Sequence, residues 1–291
     1  MIALAMLLQA LRIAVPYLLA AAGGVLSERV GVIALGLEGM MLAGAFGAVL
    51  GAHATGSPWA ALPAAVAAAW VVTGVLAVAT LRYRANHVVV GVALNLLVAA
   101  ATRFFLRLIF DSASNSPRVA GFGEDGGAAL LAGTANPLLW LGVVVLPLLG
   151  WALGATRFGL RVRAVGEKPE AAASLGVPVG RIRVQGLLLG GALAGLGGAF
   201  LALEQHQFSN SMTAGRGFIA LAAVIFGRWE PRRVAIACLL FAAAETAQIQ
   251  LQGAQRLPSQ FVEMIPYLLT IVALAGVVGR SHPPAALGRT E

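Results

Sequence analysis

Few residues in this sequence have both the type and the spacing that chemistry requires. Glu245 and Gln248 stand three apart, which puts a carboxylate and a carboxamide on one face of a helix. Glu38 lies between Gly36 and Gly39, where the chain is free to break or to let another backbone approach. Asn95 offers a donor and an acceptor to sugar hydroxyls or base edges, or equally to a neighbouring helix. Glu204 completes a set suited to holding a polar solute. None of it resembles a catalytic constellation: there is no Gly-x-Ser-x-Gly elbow, no His-Glu-x-x-His and no paired-cysteine metal pattern. The histidines His53, His87, His206 and His282 are scattered at or beyond the ends of apolar segments, and they read as interfacial or solvated. A phosphate-cradling Gly-x-x-x-x-Gly-Lys-Ser/Thr loop is absent too, so this chain cannot by itself bind ATP in the P-loop manner, and if ATP drives it another subunit supplies the ATP.

The elements that carry these groups follow from composition. Of 291 residues, 59% are hydrophobic and 11% charged, against about 25% charged in a soluble domain. Trp59 to Leu81, Ala85 to Thr102, Asn136 to Thr156 and Val184 to Leu203 contain no Asp, Glu, Lys or Arg. Each is long enough to cross a hydrocarbon core, which takes about 20 helical residues. Further spans are expected at Ile2 to Leu26 around Arg12, Val30 to His53 around Glu38, Gly217 to Gly227, Val234 to Leu251 around Glu245, and Met264 to Gly279. The expectation is an all-α polytopic bundle of about nine spans, within a range of eight to ten, some short or broken. Leu, Ala and Gly dominate these segments in place of the alternation of an outer-membrane barrel. The amino-terminal block lacks a basic flank and reads as a retained helix. The lone Cys238 reads as a buried, inert thiol.

An ionisable group at membrane depth is expensive unless it faces a partner or a water-filled cavity. Glu38 therefore either borders a solute path or is held by a nearby arginine such as Arg29 or Arg82. The formal charge of +8 reports topology before it reports nucleic acid. Alternating the sides of nine segments gathers 14 of the 20 basic residues on the side of Ser27 to Arg29, Leu81 to Arg84, Thr156 to Arg183, Arg228 to Arg233 and the stretch from Arg280. Arg103, Arg107, Arg118, Arg216 and Arg256 fall opposite. The rule that cytoplasmic loops collect Lys and Arg then puts the amino terminus outside and the carboxyl terminus inside the cell membrane. Among the aromatic residues near segment ends, Phe104, Phe105, Phe208, Phe218 and Trp229 read as interfacial anchors. A Ser-, Gly- and acid-rich stretch within an external loop over 105–135 serves as a linker or as a landing surface for another protein.

The loop over 157–183, RFGLRVRAVGEKPEAAASLGVPVGRIR, has room for a helix of its own. Pro169 suits a first turn, Glu170 its positive end, Ala171 to Leu175 propagate it, and Gly176 with Pro178 ends it. Glu170-Ala171-Ala172, three residues, then Gly176 resembles the coupling loop of permeases of ATP-binding-cassette (ABC) importers, the part that docks on the ATPase. The family's usual isoleucine and Leu-Pro ending are missing. LSERVGVIALGLEGMMLAGAF (Leu26 to Phe46), RANHVVVGVALNLL (Arg84 to Leu97), GRGFIALAAVIFGRWEP (Gly215 to Pro231) and PSQFVEMIPYLLTI (Pro258 to Ile271) resemble permeases of branched-chain amino acid, simple sugar and nucleoside importers. Glu38-Gly39-Met40, Ala85-Asn86-His87 with Asn95, and Phe226-Gly227-Arg228-Trp229 are most similar to the nucleoside branch. The resemblance implies one permease domain over 1–291, no cofactor in this chain and no enzymatic activity. It implies as partners a cytoplasmic ABC ATPase, a second related permease and an extracytoplasmic lipoprotein that delivers a nucleoside. Glu38, Asn95, Glu245 and Gln248 become candidates for the substrate path, and Glu170, Ala171, Ala172 and Gly176 for ATPase coupling. An ion-driven carrier and a membrane enzyme are the competing classes, and the absence of a clustered acid, base or metal set weighs against the enzyme.

Overall fold

The computed structural model describes residues 2–112, 114–122, 136–253 and 282–289. Its helices in chain order are α1 (Ile2–Arg29), α2 (Leu37–Thr55), α3 (Pro58–Ala77), α4 (His87–Phe110), α5 (Pro137–Ala155), α6 (Arg157–Glu167), α7 (Pro169–Ser174), α8 (Val179–Glu204), α9 (Arg216–Phe226) and α10 (Pro231–Gly253). Seven are long and apolar enough to cross a membrane: α1, α2, α3, α4, α5, α8 and α10. The 11-residue α9 spans only about 16 Å at 1.5 Å per residue, roughly half of a bilayer core. The span expected over Met264 to Gly279 lies outside the described residues.

The ends of the elements follow local rules. The side chain of Asn86 caps α4, accepting from the N–H groups of Val88 and Val89 at 2.9 and 3.3 Å. Asn136 does the same for α5 from Leu138 N–H at 3.0 Å. Thr156 separates α5 from α6 and accepts from Gly159 N–H at 3.0 Å. α3 relaxes into a π-helical turn over Val78–Arg82, after which Arg84 takes a positive φ of 54°. Three boundaries differ from the sequence reading. α4 runs on through Phe110, so 105–110 is helix and not loop. The 157–183 region is itself helical, with α6 preceding the expected short helix α7. Ser27 to Arg29 form the last turn of α1, and the second span begins only at Leu37, because residues 30–36 leave the helix.

At the centre lie α1, α2, α3 and α8, with α8 packed against the other three and α2 against α3. Small residues let their backbones touch: a Cβ on Gly47 would sit 2.7 Å from Ala64 O and one on Gly195 3.0 Å from Ala65 O. Added to Gly44 or Gly198, it would collide with the backbone of Gly195 or Met41. Such contact replaces the hydrophobic effect as the glue between helices where the surroundings are equally apolar. α4 packs on α2 and α3, α5 on α1 and α10, and α9 fits between α1, α2 and α10. Large apolar side chains on the outer face of α3 and on the peripheral helices point outward, among them Val71 and Val75 of α3, Leu96 and Leu97 of α4, Trp140 and Trp151 of α5 and Leu240 of α10. An apolar exterior over a bundle of long apolar helices is the pattern of a multi-pass membrane protein.

Two faces cap the bundle. On one, α1 ends beside α6 and the 282–289 segment. On the other, the described part of the expected external loop docks on the stretch after α8: Asn115 and Ser209 pair, Ser116 N–H donates to Phe208 O at 2.9 Å, and Val119 N–H to His206 O at 2.8 Å.

Candidate functional site

Three of the sequence stretches singled out above, Leu26 to Phe46, Arg84 to Leu97 and Gly215 to Pro231, are far apart in the chain and meet at the α1–α2 bend and the α9 helix seated beside it; Pro258 to Ile271 lies outside the described residues. The first component is the bend between α1 and α2. α1 closes with paired bonds from Gly31 N–H to Glu28 O and from Val32 N–H to Ser27 O, both at 3.0 Å, the Schellman arrangement that needs its glycine in the left-handed region. Gly31 has φ +94°. Inside a membrane the freed backbone groups of 33–39 must find partners within the protein. Ile33 N–H donates to His87 Nδ1 at 3.4 Å and Ala34 N–H to Glu28 Oε1 at 3.2 Å. Asn95 supplies both halves of its amide: Nδ2 donates to Leu35 O at 2.8 Å and Oδ1 accepts from Gly39 N–H at 2.8 Å. Gly91, one turn earlier on α4, has no room for a Cβ, which would lie 2.8 Å from that of Leu35.

The second component is the amino end of α9. Glu38 Oε1 accepts from Gly215 N–H at 3.0 Å and Oε2 from Gly217 N–H at 2.7 Å. A carboxylate there satisfies orphan donors and complements the helix dipole. Gly217 is obligatory for the approach, since a Cβ would fall 2.5 Å from Glu38 N. The partners of Glu38 are thus two backbone N–H groups, not the arginine considered from the sequence. Arg29 is engaged elsewhere.

The third component is the carboxyl end of α9. Arg228 and Trp229 have φ of 52° and 56°, and the chain turns back so that Trp229 N–H reaches Val224 O at 3.1 Å. The indole N–H of Trp229 donates to Glu28 Oε2. Arg29 Nη2 and Nε donate to Trp229 O at 2.9 and 3.2 Å. α9 is therefore held at both ends by acidic residues of one short region, Glu28 and Glu38. Trp229 is buried, and so is Phe208, edge-on to Phe46 at 5.2 Å; neither is the interfacial anchor expected. Phe104, Phe105 and Phe218 are exposed, as an anchor must be. His87, also expected at an interface, is buried.

The fourth component joins α9 to α1 and α10. Arg216 Nη2 and Glu245 Oε1 form a 2.6 Å ion pair, Tyr17 donates its hydroxyl to Glu245 Oε2, and Arg216 Nη1 donates to Met212 O at 2.9 Å. Arg216 and Glu245 keep about a fifth of their side-chain surface, 22% and 18%. Gln248 follows on the same helix, half-buried. Glu204 stands apart, 3.8 Å from Arg12 with both about a third exposed, which makes a weak pair.

The structure thus brings Glu38 and Asn95 together at the bend and Glu245 and Gln248 at the next helix. The sequence reading missed Glu28, Tyr17, Arg216 and the two glycine N–H groups. Glu28 carried a signal, a carboxylate inside LSERVG, but counting Ser27 to Arg29 as loop concealed it. Of the residues put forward for coupling, Glu170, Ala171 and Ala172 lie on α7, with Ala172 buried, and Gly176 takes φ +79° in the turn that ends it. Among the described residues no group of His, Cys, Asp and Glu could hold a metal ion. Each of Glu28, Glu38 and Glu245 already accepts from protein donors, so these carboxylates are engaged in seating α9.

A membrane bundle with one half-length helix clamped between bent and broken segments is the build of a transport protein. The family described as the permease component of the branched-chain amino acid transport system matches over residues 6–274, and this chain belongs to it. The chain is 37% identical to the guanosine ABC transporter permease protein NupQ of Bacillus subtilis, over 94% of this chain and 92% of the relative. It is 36% identical to the nucleoside ABC transporter permease protein NupC of Lactococcus lactis, with the same two coverages, 94% and 92%. A second nucleoside permease protein of that organism, NupB, is 30% identical over 39% of this chain and 32% of its own length.

Proposed function

We propose that this permease carries nucleosides into the cell, in an importer whose ATP and Mg are bound by a separate ABC ATPase. The observation that carries the substrate class is the near full-length similarity to two permeases named for guanosine and for nucleosides. Simple sugars are the runner-up and branched-chain amino acids the third class. That one organism has two related nucleoside permease proteins, unequally similar to this chain, supports a heteromeric pair in the membrane. An extracytoplasmic lipoprotein delivers the substrate. α7 docks on the ATPase, with Glu170, Ala171, Ala172 and Gly176 as the coupling residues.

In this reading Glu245 and Gln248, with Arg216, border the path, because they keep accessible polar surface at membrane depth. Glu38 and Asn95 act one step back. Their hydrogen-bonding groups are committed to the bend and to α9, so they set where α9 sits and hence which side the path opens to. Uptake of labelled purine and pyrimidine nucleosides, ribose, glucose and leucine, in cells with intact or hydrolysis-dead ATPase, tests both parts. Nucleoside uptake abolished by the dead ATPase is expected. Sugar-only or leucine-only uptake overturns the substrate, and uptake that survives overturns the coupling to ATP.

The excess of basic residues on the α6–α7 side supports a cytoplasmic position for that face and an external amino terminus. Single cysteines at positions 168 and 232, in a Cys238→Ala background, should resist an impermeant thiol reagent in intact cells, while one at 115 reacts. The reverse pattern inverts the orientation.

A further inference from the structure

The 282–289 segment lies across the same face as the coupling helix and touches two things at once. Ala286, with 0% exposure, donates its N–H to Gly166 O at 2.9 Å, at the end of α6. Two residues on, Gly288 N–H donates to Gly31 O at 3.0 Å, at the bend between α1 and α2. Ala285 N–H adds a longer contact of 3.4 Å to Glu167 Oε2. The fit is close on both sides: a Cβ on Gly31 would lie 3.1 Å from Ala286 O, and one on Gly288, whose φ is +76°, 2.9 Å from Ile33 Cδ1. Leu287 N–H to Pro284 O at 2.9 Å and Arg289 N–H to Ala286 O at 3.2 Å fold the segment into tight turns. A chain so turned and bonded at both flanks has little freedom to slide.

Between this segment and α7 is a crevice of about 260 Å³, walled by Glu167, Lys168 and Glu170 on one side and by Ala285 and Arg289 on the other. Its two acids and two bases balance, which does not suit a free anion and does suit a protein surface of alternating charge. Leu175, at the end of α7, is 84% exposed. The crevice is continuous with the coupling helix, so whatever seats on one covers the other.

We infer that residues 284–289 form the second wall of the ATPase-docking surface and tie that surface to the α1–α2 bend. This rests on the reading of α7 as the docking helix. The consequence is a direct mechanical link. Displacement of α7, and with it of the adjoining end of α6, by the ATPase is passed through Ala286 and Gly288 to Gly31 and Ile33, and from there to the residues that seat α9.

The test uses the assembled importer, co-purified through a tag on the permease. Arg289→Glu and Ala285→Glu change exposed positions of the wall and should reduce the ATPase retained by about tenfold, the size of a moderate interface hot spot. Gly288→Val acts on the tie. It should keep the ATPase bound, while hydrolysis no longer rises with substrate-loaded binding protein and uptake falls about tenfold. Ala171→Glu, at an exposed position of α7, is the reference. If Ala171→Glu leaves ATPase retention and uptake intact, the docking reading itself falls. If Ala171→Glu strips the ATPase while Arg289→Glu, Ala285→Glu and Gly288→Val all behave as wild type, only the present inference falls. Should Gly288→Val fail to insert, the two exposed-wall variants decide alone: undiminished retention in both overturns the proposal.

Discussion

Where α1, α2, α3 and α8 meet, backbones touch through glycine and alanine, whereas around α9 they are held by carboxylates, an amide and an indole. The first kind of contact has one geometry. Removing or adding a single carbon there leaves either a void or a collision, and no other partner is available. The second kind is directional, because each donor at α9 is matched to one acceptor. One region therefore fixes the frame by shape, and the other seats a short helix by matched polar groups. The contrast teaches that in an apolar solvent a close-packed frame is built from the smallest residues, while a helix too short to span is held by the most polar ones.

The comparison breaks most visibly at the frame. Gly198→Leu puts a side chain against the carbonyl of Met41 and should cost more than about 3 kcal/mol, because backbone cannot yield as neighbouring side chains do. No monodisperse protein should survive detergent extraction; a normal yield and melting temperature would show the frame to be loose. Next comes the seat of α9. Glu38→Gln keeps the shape but loses the charge that faces two N–H groups, worth about 1.5–3 kcal/mol. The variant should insert normally and transport about tenfold less, and normal uptake would remove Glu38 from the transport cycle. Trp229→Phe is milder. It deprives the buried Glu28 of one donor and leaves that from Ala34, so thermal unfolding should report a loss of about 1–2 kcal/mol. Smallest of all, Leu97→Met on the outward face of α4 should change stability by less than about 0.5 kcal/mol. A larger change would mark that face as covered by another protein chain.

Much of this frame was legible in the sequence because long apolar blocks have one outcome in a membrane. The blocks from Trp59, Ala85, Asn136 and Val184 all became helices, and Pro169 with Gly176 bracketed a short helix as turn chemistry dictates. The site was legible in part. Glu38, Asn95 and Glu245 stood out as polar groups among apolar ones, but their partners did not, since the partners are backbone N–H groups and carbonyls, which every residue has. Nothing in the letters of Gly215 and Gly217 says that their N–H groups lack partners; that follows only once α9 is seen to begin there. Val30 to Gly36 read as membrane span because hydropathy is blind to backbone direction, and the break depends on Gly31, His87 and Asn95 acting together.

The role of Asn95 has one more consequence. A carboxamide is chemically a peptide unit without its chain, and by accepting from Gly39 and donating to Leu35 it stands in the hydrogen-bond ladder as a residue of α2 would. α4 in effect lends α2 one rung. The loan lets a chain change direction where no water is available to fill the gap. It also names the side chains that suit the post: leucine supplies neither contact, aspartate supplies only the acceptor and brings a charge to the Leu35 carbonyl, and glutamine carries the right group on too long an arm. A helix break of this kind is thus written on a different helix from the one that breaks.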